Sequence, residues 1–200
     1  MKIVDQVIDL YQRFDKIIER FKRVTNISCP KRCSYCCRHW WVEATVLEVL
    51  PLAREIYARG QEEAIMKQIQ EKQTREDTLC VLLLPESNKE VEGYCAYYAW
   101  RPLMCRLFGF AARKNKHGDL EFCSCRIIRE VNPWSVKRAE MALQGKLKLP
   151  VYQEAFMEIA SLDTSRGYRR LPINLAIKEA IEYLYWKRPK GKSLDKVAGF

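Results

Sequence analysis

Nine cysteines give this sequence its most distinctive chemistry, and four of them lie within nine consecutive residues. The dense stretch contains Cys29, Cys33, Cys36 and Cys37, and the remaining cysteines are Cys80, Cys95, Cys105, Cys123 and Cys125. Thiols at this density are typical of a disulfide framework or of ligands for a soft metal ion. A chain of 200 residues can bury a core without covalent cross-links, so the spacing and the context favour the metal.

The start of the chain also argues against a secreted disulfide protein. Residues 1–6 carry charges and no small-residue cleavage site follows them, so we expect a cytoplasmic protein. No window approaches the roughly 20 apolar residues that a membrane-spanning helix needs, and we therefore expect no membrane span.

The formal net charge of +10 comes from 35 Lys and Arg against 25 Asp and Glu. Such an excess can attract nucleic acid, an anionic membrane surface or an acidic protein. Metal-bound thiolates are negative, however, and eight of them around two dications would lower the net charge by about four. We interpret the excess as solvated basic faces plus compensation of the site, and we expect no nucleic-acid partner. A protein partner stays open.

Four thiolates suit either zinc or an iron–sulfur cluster. Adjacent residues of an extended chain point apart, so we expect one of Cys36 and Cys37 to serve a second site or to pack as a small apolar group. Cys123 and Cys125 are two residues apart, so in an extended chain they would share a face and could share a site. Nine thiols allow two four-cysteine sites with one left over, or one site plus structural or reactive thiols.

Two arginines flank Cys105. Arg101 and Arg106 are candidates to balance the charge of the cluster and to donate hydrogen bonds to its sulfur or to an anionic ligand. The alternative for both is a surface salt bridge. Pro102, between Arg101 and Cys105, is expected to begin the helical turn that presents this cysteine.

Other residues near the dense stretch have weaker signals. His39 is close enough to coordinate the metal or to hydrogen-bond a sulfur, whereas His117 lies in a polar loop and is expected to be exposed. Trp40 and Trp41 are expected to shield the cluster from water.

The sequence predicts that the elements that position these residues are mainly helices. Residues 2–24 have apolar side chains at alternating steps of four and three, at Ile3, Val7, Leu10, Phe14, Ile17, Phe21 and Val24, widened by Ile8, Tyr11 and Ile18. This seam predicts a helix that packs on the core. A coiled-coil dimer contact is the alternative, so an oligomer through this helix stays open.

Further elements follow in chain order. Thr45 and Glu48 have the spacing of a capping box, and Pro51 predicts a kink or a second helix start. The remaining predictions are a surface helix over 61–76, a buried strand or extended segment over 80–85, a hairpin-like loop over 114–119 and helices over 134–143, 151–159 and 172–187. In the last helix we expect Pro172 in the first turn and Tyr185 on the apolar face.

We therefore expect a mainly α fold, with helices packed around an irregular cysteine-rich core and a few short strands. Residues 1–188 should form one domain, in which 29–125 are the metal-binding core and 1–24 and 133–188 the helical scaffold. Residues 189–200 should form a basic tail.

A family resemblance rests on two cysteine blocks. Cys33-Ser34-Tyr35-Cys36-Cys37, then Cys80, then Cys95-x2-Tyr98-x2-Arg101-Pro102-x2-Cys105-Arg106-x-Phe108 resemble the YkgJ-type cysteine cluster proteins, the CxxCxxCC family of zinc- or iron-chelating domains. The resemblance covers roughly 29–108 and implies Cys29, Cys33, Cys36, Cys37, Cys80, Cys95 and Cys105 as metal ligands. The chain departs from the pattern at one point, since three residues rather than two separate Cys29 from Cys33. Such domains are associated with flagellin lysine N-methylases, which makes an enzymatic role conceivable.

The same departure creates a second resemblance. Cys29-x3-Cys33-x-Tyr35-Cys36 is similar to the radical S-adenosylmethionine signature, in which three thiolates hold a 4Fe–4S cluster with one open iron. The chain lacks the repeated strand–helix alternation of a barrel, which argues against this alternative. We predict a cysteine-ligated metal protein and favour an iron–sulfur cluster, of the 4Fe–4S type, over zinc.

Overall fold

Helices make up most of the described chain. The computed structural model describes residues 2–39, 42–86 and 93–187. The helices are α1 (Lys2–Thr25), α2 (Tyr35–His39), α3 (Val46–Ala58), α4 (Glu62–Thr74), α5 (Leu103–Leu107), α6 (Arg126–Val131), α7 (Pro133–Gln144), α8 (Tyr152–Ala160), α9 (Thr164–Gly167) and α10 (Ile173–Lys187). The strands are β1 (Glu43–Thr45), β2 (Leu83–Pro85), β3 (Gly93–Cys95), β4 (Ala111–Lys114), β5 (Leu120–Cys123) and β6 (Arg170–Pro172). The prediction of a mainly α fold with a few short strands is confirmed.

Helix α1 lies where the apolar periodicity predicts it, but its buried face is rotated. The buried side chains are Val4, Val7, Tyr11, Phe14, Ile18, Phe21 and Thr25. The predicted seam residue Val24 is 58% exposed. The face turns toward Tyr11 because its hydroxyl donates a 2.8 Å hydrogen bond to the backbone oxygen of Glu48 in α3. Since this face packs on α3 and α7 of the same chain, the core-packing interpretation is supported.

Helix α3 lies at the centre of the core and begins with the predicted capping box. The hydroxyl of Thr45 accepts from the Glu48 amide, and the Glu48 carboxylate accepts from the Thr45 amide, both at 3.2 Å. Pro51 does not start a second helix, because α3 continues through it to Ala58. The residues of α3 that are at most 1% exposed include Leu47, Glu48, Val49, Leu50, Leu52, Ala53 and Ile56.

Helix α10 packs along α3 and closes the core on its other side. Tyr57 at the end of α3 donates a 3.0 Å hydrogen bond to the Ile181 oxygen of α10. Pro172 is not in the first turn of α10, because it ends β6, which pairs antiparallel with β1. The expectation for Tyr185 is wrong as well, since this residue is 59% exposed.

The sheets of the described residues are three separate antiparallel pairs, β1–β6, β2–β3 and β4–β5. The predicted loop over 114–119 joins β4 and β5, and Gly118 takes the positive φ of +88° that the turn requires. Cys80 precedes β2 in a turn, so only the end of the predicted extended segment over 80–85 is a strand. Two-stranded antiparallel pairs do not form the parallel barrel of a radical enzyme.

Some expectations lie outside the described residues, namely Trp40, Trp41 and the tail over 189–200. The side chain of His39 is likewise outside them. Among the described helices, none combines the length and the apolar character needed to cross a membrane.

Candidate metal centre

Eight of the nine cysteines line one cavity of about 560 Å³. They are Cys29, Cys33, Cys36, Cys37, Cys80, Cys95, Cys105 and Cys125, and we call this space the thiol cavity. All nine cysteines lie in the described residues and are free thiols. Aromatic side chains complete the lining, among them Tyr97, Phe108 and Phe110. Segments nearly 100 residues apart thus converge on one space.

The loop that carries the first cysteines is fixed by backbone contacts at both ends. Helix α1 ends at Thr25, and the oxygen of the next residue, Asn26, whose φ is +56°, accepts a 3.0 Å hydrogen bond from the Ser135 hydroxyl. Beyond Cys29, the oxygen of Arg32 accepts a 3.0 Å hydrogen bond from the Gly93 amide at the start of β3. A Cβ at Gly93 would lie 2.8 Å from the Leu84 oxygen and 3.2 Å from the buried Ser34 hydroxyl. Glycine therefore permits the close approach that brings the first cysteine loop beside Cys95.

Cys36 and Cys37 do not point apart as expected. The chain is helical here, because the Cys37 amide donates to the Ser34 oxygen at 2.9 Å and α2 begins at Tyr35. Successive helical side chains are about 100° apart rather than opposite, and the two sulfur atoms are 4.0 Å from each other. The hydrogen bond between the two thiols and, to a lesser extent, the nearby charge of Arg101 outweigh burial and lower the pKa of Cys36 to about 7. The same bond raises the pKa of Cys37.

Cys80 is positioned by a residue that the sequence analysis missed. The Asn174 side chain, near the start of α10, accepts from the Val81 amide at 2.8 Å and donates to the Leu79 oxygen at 2.9 Å. It therefore holds the backbone on both sides of Cys80. A lone asparagine gives no sequence signal for such a role, since the contact spans more than 90 residues. Burial raises the pKa of the Cys80 thiol to about 12.

Cys95 and Cys105 reach the cavity from the end of a strand and from a short helix. Cys95 ends β3 opposite Leu83 of β2. Cys105 lies in α5, whose N-cap is Pro102 with a φ of −65°, so the predicted helical turn is present. Burial raises the pKa of Cys105, and the charges of Cys80, Cys36 and Cys95 raise it further.

Cys123 and Cys125 face different surroundings. Cys125 is the N-cap of α6, and its sulfur accepts from the Ile128 amide at 3.3 Å while lining the thiol cavity. Cys123 ends β5 and lines a neighbouring cavity, which Cys125 lines as well, but it is not in the lining of the thiol cavity. The chain turns from strand into helix between the two cysteines, and a shared metal site stays a prediction.

Arg101 and Arg106 lie in different surroundings. Arg101 lines the thiol cavity with its guanidinium 3.4 Å from the centre of the Tyr98 ring, and among the described residues its buried Nε has no hydrogen-bond partner. Arg106 turns away from the cysteines, because it pairs with Asp15 of α1 and donates to the Ala99 oxygen at 2.7 Å. Its expected role at the cluster is replaced by a structural one. His117 lies exposed in the β4–β5 turn, as expected.

The eight thiols of the thiol cavity form two groups, defined by which thiols raise one another's pKa. The first group is Cys29, Cys33 and Cys125. Cys29 is exposed as a residue, yet burial of its sulfur and then the charges of Cys33 and Cys125 raise its pKa to about 12. The second group is Cys37, Cys80, Cys95 and Cys105, whose charges act on one another. The charge of Cys36 raises the pKa of thiols in both groups.

The donor set fits a soft metal, and the sulfur atoms of Cys36 and Cys37, 4.0 Å apart, are close to the separation of two ligands of one ion. A zinc ion with Zn–S bonds of about 2.3 Å brings its sulfur ligands to about 3.8 Å from one another. Within the described ranges, no group of three or more cysteine, histidine or acidic side chains is close enough to hold a metal ion. The thiols must therefore move inward for a single ion, or bind a larger centre in which different metal atoms take different thiolates.

Comparison with known proteins agrees with this class of metal-binding protein. Residues 28–125 match the family CxxCxxCC, described as "Putative zinc- or iron-chelating domain". This match confirms the resemblance that the two cysteine blocks predicted. The match extends beyond the block ending at Phe108 and includes Cys123 and Cys125. Comparisons with curated proteins and with solved structures gave no match.

Proposed function

We propose that the thiol cavity holds an iron–sulfur cluster of the 4Fe–4S type. The observation that carries this proposal is the convergence of eight thiols on one cavity of about 560 Å³. One tetrahedral zinc uses four ligands, so the supply of sulfur exceeds the need of a single ion. Among the described residues no three donors are close enough to hold a single ion, which also favours a centre with several metal atoms. Zinc is the competing occupant.

The two groups of thiols suggest which cysteines ligate the metal. Cys37, Cys80, Cys95 and Cys105 would hold the cluster, and Cys36 joins them to the group of Cys29, Cys33 and Cys125, which can hold a second centre. This assignment leaves Cys123 over. A bound cluster supplies one-electron chemistry whose potential depends on charge, hydrogen bonding and solvent around its sulfurs.

The protein's own contribution is the environment. Arg101 brings a positive charge and an unpartnered N–H to the cavity, where the ligands lose protons and become negative on binding. Tyr97 and Phe110 are at most 7% exposed and exclude water from the lining.

Anaerobic purification followed by quantification of iron, zinc and acid-labile sulfide per chain tests the proposal. We expect a brown protein that contains iron and sulfide in comparable amounts and whose visible absorption bleaches on reduction. A colourless protein with stoichiometric zinc and no sulfide would reject the cluster. A folded protein without metal would reject cysteine-ligated metal binding altogether.

An S-adenosylmethionine-dependent enzyme, such as a protein-modifying methylase, is a second candidate. It is favoured by one observation, that Cys29, Cys33 and Cys36 of the signature all line the thiol cavity. It predicts reductive cleavage of S-adenosylmethionine by the protein and loss of this cleavage in Cys33→Ala. Absence of cleavage under a strong reductant, in protein shown to contain iron and sulfide, would remove this candidate.

A further inference from the structure

A second cavity of about 710 Å³ lies beside the thiol cavity and shares a wall with it. The common wall includes Cys36, Cys37, Cys105 and Cys125. Helices α5, α6 and α8 and the β4–β5 hairpin contribute to its lining, and the hairpin is tied to the segment before α8 by a 2.8 Å hydrogen bond from the Ala112 amide to the Pro150 oxygen. This volume is within the roughly 300–1,000 Å³ of small-molecule sites.

Four arginines line this second cavity, Arg113, Arg126, Arg129 and Arg170, and we call it the arginine chamber. Its described lining contains no aspartate or glutamate. Apart from the cysteines, the charged side chains of this lining are therefore all positive. A cavity with one sign of charge and walls of low polarity concentrates the opposite charge, here an anion.

Two of these arginines have carboxylate partners outside the chamber. Arg113 pairs with Glu121 at 3.1 Å and Arg126 with Glu130 at 2.6 Å, and neither glutamate lines the chamber. Arg129 and Arg170 have no carboxylate within 4.0 Å among the described residues. Arg170 instead lies 4.7 Å from the centre of the Phe156 ring. Both residues are exposed and can contact an external anion, and the charge of Arg170 also acts on the buried Glu48 carboxyl.

The interior of the arginine chamber is apolar. Phe108, Phe122 and Phe156 line it, together with Tyr152. Burial raises the pKa of the Tyr152 hydroxyl, so this group stays neutral and adds no negative charge. Charge at the mouth and aromatic surface inside suit a ligand that has both an anionic group and an apolar body.

We propose that the arginine chamber binds an anionic small molecule with an apolar or aromatic body. Its anionic group lies at Arg129 and Arg170, and its body lies against the phenylalanine side chains and the shared cysteine wall. The ligand then touches the wall of the metal centre without entering the thiol cavity. This inference is independent of which metal the thiol cavity holds.

Three probes test the proposal on the full chain with its metal. Isothermal titration compares 2-naphthoate, its neutral amide 2-naphthamide, and inorganic phosphate, which separate charge with an apolar body from either property alone. We expect naphthoate to bind at least tenfold more tightly than the other two. The double variant Arg129→Gln/Arg170→Gln should weaken naphthoate binding by about tenfold, since two exposed charge-assisted contacts are lost.

A matched control and a local readout complete the test. Arg20→Gln/Arg23→Gln removes the same charge from exposed positions of α1 and should leave naphthoate binding unchanged. Naphthoate should also slow the alkylation of Cys123 by iodoacetamide, followed by mass spectrometry, because Cys123 lines the chamber. Equal binding of naphthoate and naphthamide, equal weakening by the control variant, or unprotected Cys123 would each overturn the proposal.

Discussion

Cys36 is the residue at which the two groups of thiols meet. Its sulfur is 4.0 Å from that of Cys37, and its charge acts on cysteines of both groups. Cys36→Ala is therefore expected to remove at least half of the bound metal, measured by elemental analysis of anaerobically purified protein. Cys123→Ala is the matched control, because Cys123 lies outside the thiol cavity and its loss should leave the metal content unchanged. Equal losses in both variants would contradict the assignment.

Arg101 and Arg106 differ in what they contact, and substitutions should separate their roles. Arg101→Gln removes the positive charge from the thiol cavity and should speed metal loss to a chelator several-fold with little change in thermal stability. Arg106→Gln breaks the pair with Asp15, and since Arg106 is 6% exposed it should cost about 1–3 kcal/mol of unfolding free energy. Chelator kinetics and chemical denaturation measure the two effects. The reverse pattern would contradict the assignment.

At the scale of elements, the start of α10 holds the segment that carries Cys80. Asn174→Ala removes two hydrogen bonds to that segment and should cost about 1–3 kcal/mol. We also expect faster metal loss to a chelator, because Cys80 becomes free to leave the cavity. Asn174→Asp keeps the acceptor for the Val81 amide but loses the donor, so its effect should be intermediate. Unchanged metal retention in Asn174→Ala would show that the protein does not need a positioned Cys80 to retain its metal.

The capping box of α3 gives a prediction on pH. Burial raises the pKa of Glu48 above its ordinary value of 4.5, more than the Thr45 hydrogen bonds and Arg170 lower it. The unfolded chain therefore loses this proton at lower pH than the folded protein, and Glu48 lowers stability progressively as pH rises above 4.5 until the folded pKa is passed.

Glu48→Gln keeps a capping side chain and removes this charge. The unfolding midpoint of the variant minus that of the parent, measured by calorimetry, should increase with pH above 4.5 and then level off. A difference that is constant with pH would show that the Glu48 carboxyl does not titrate differently in the folded protein.

At the scale of the whole molecule, most of the apolar core lies outside the lining of the thiol cavity, which it meets at residues such as Leu52 and Ile177. Helices α1, α3 and α10 bury their side chains against one another, with residues such as Val7, Leu50 and Ile177 fully buried. Removal of the metal should therefore leave most of the helical circular dichroism and lower the unfolding midpoint by roughly 10 °C. Amide exchange should rise in 29–37 and around Cys95 and Cys105. Loss of the helical signal on chelation would show that the metal holds the entire fold.

Much of the site's chemistry could be predicted from the sequence, because it depends on residue types and on short spacings between them. The thiol-rich stretch, the capping box and the helical turn at Pro102 depend on residues within a few positions, and the structure has all three. The error at Cys36 and Cys37 came from assuming an extended backbone where four residues form a helical turn. The error at Arg106 came from reading proximity in sequence as proximity in space, whereas its partner is Asp15, on another helix.

The sequence by itself determined that this protein has sulfur donors for a soft metal and helices to support them. Only the tertiary structure decided that eight thiols converge, that Cys123 stands apart, that Asn174 holds Cys80 and that an arginine chamber adjoins the site. The physical reason is the distance along the sequence between the residues that interact. Periodicity and capping are local interactions, whereas convergence depends on contacts between segments up to about a hundred residues apart, whose partners no local pattern specifies.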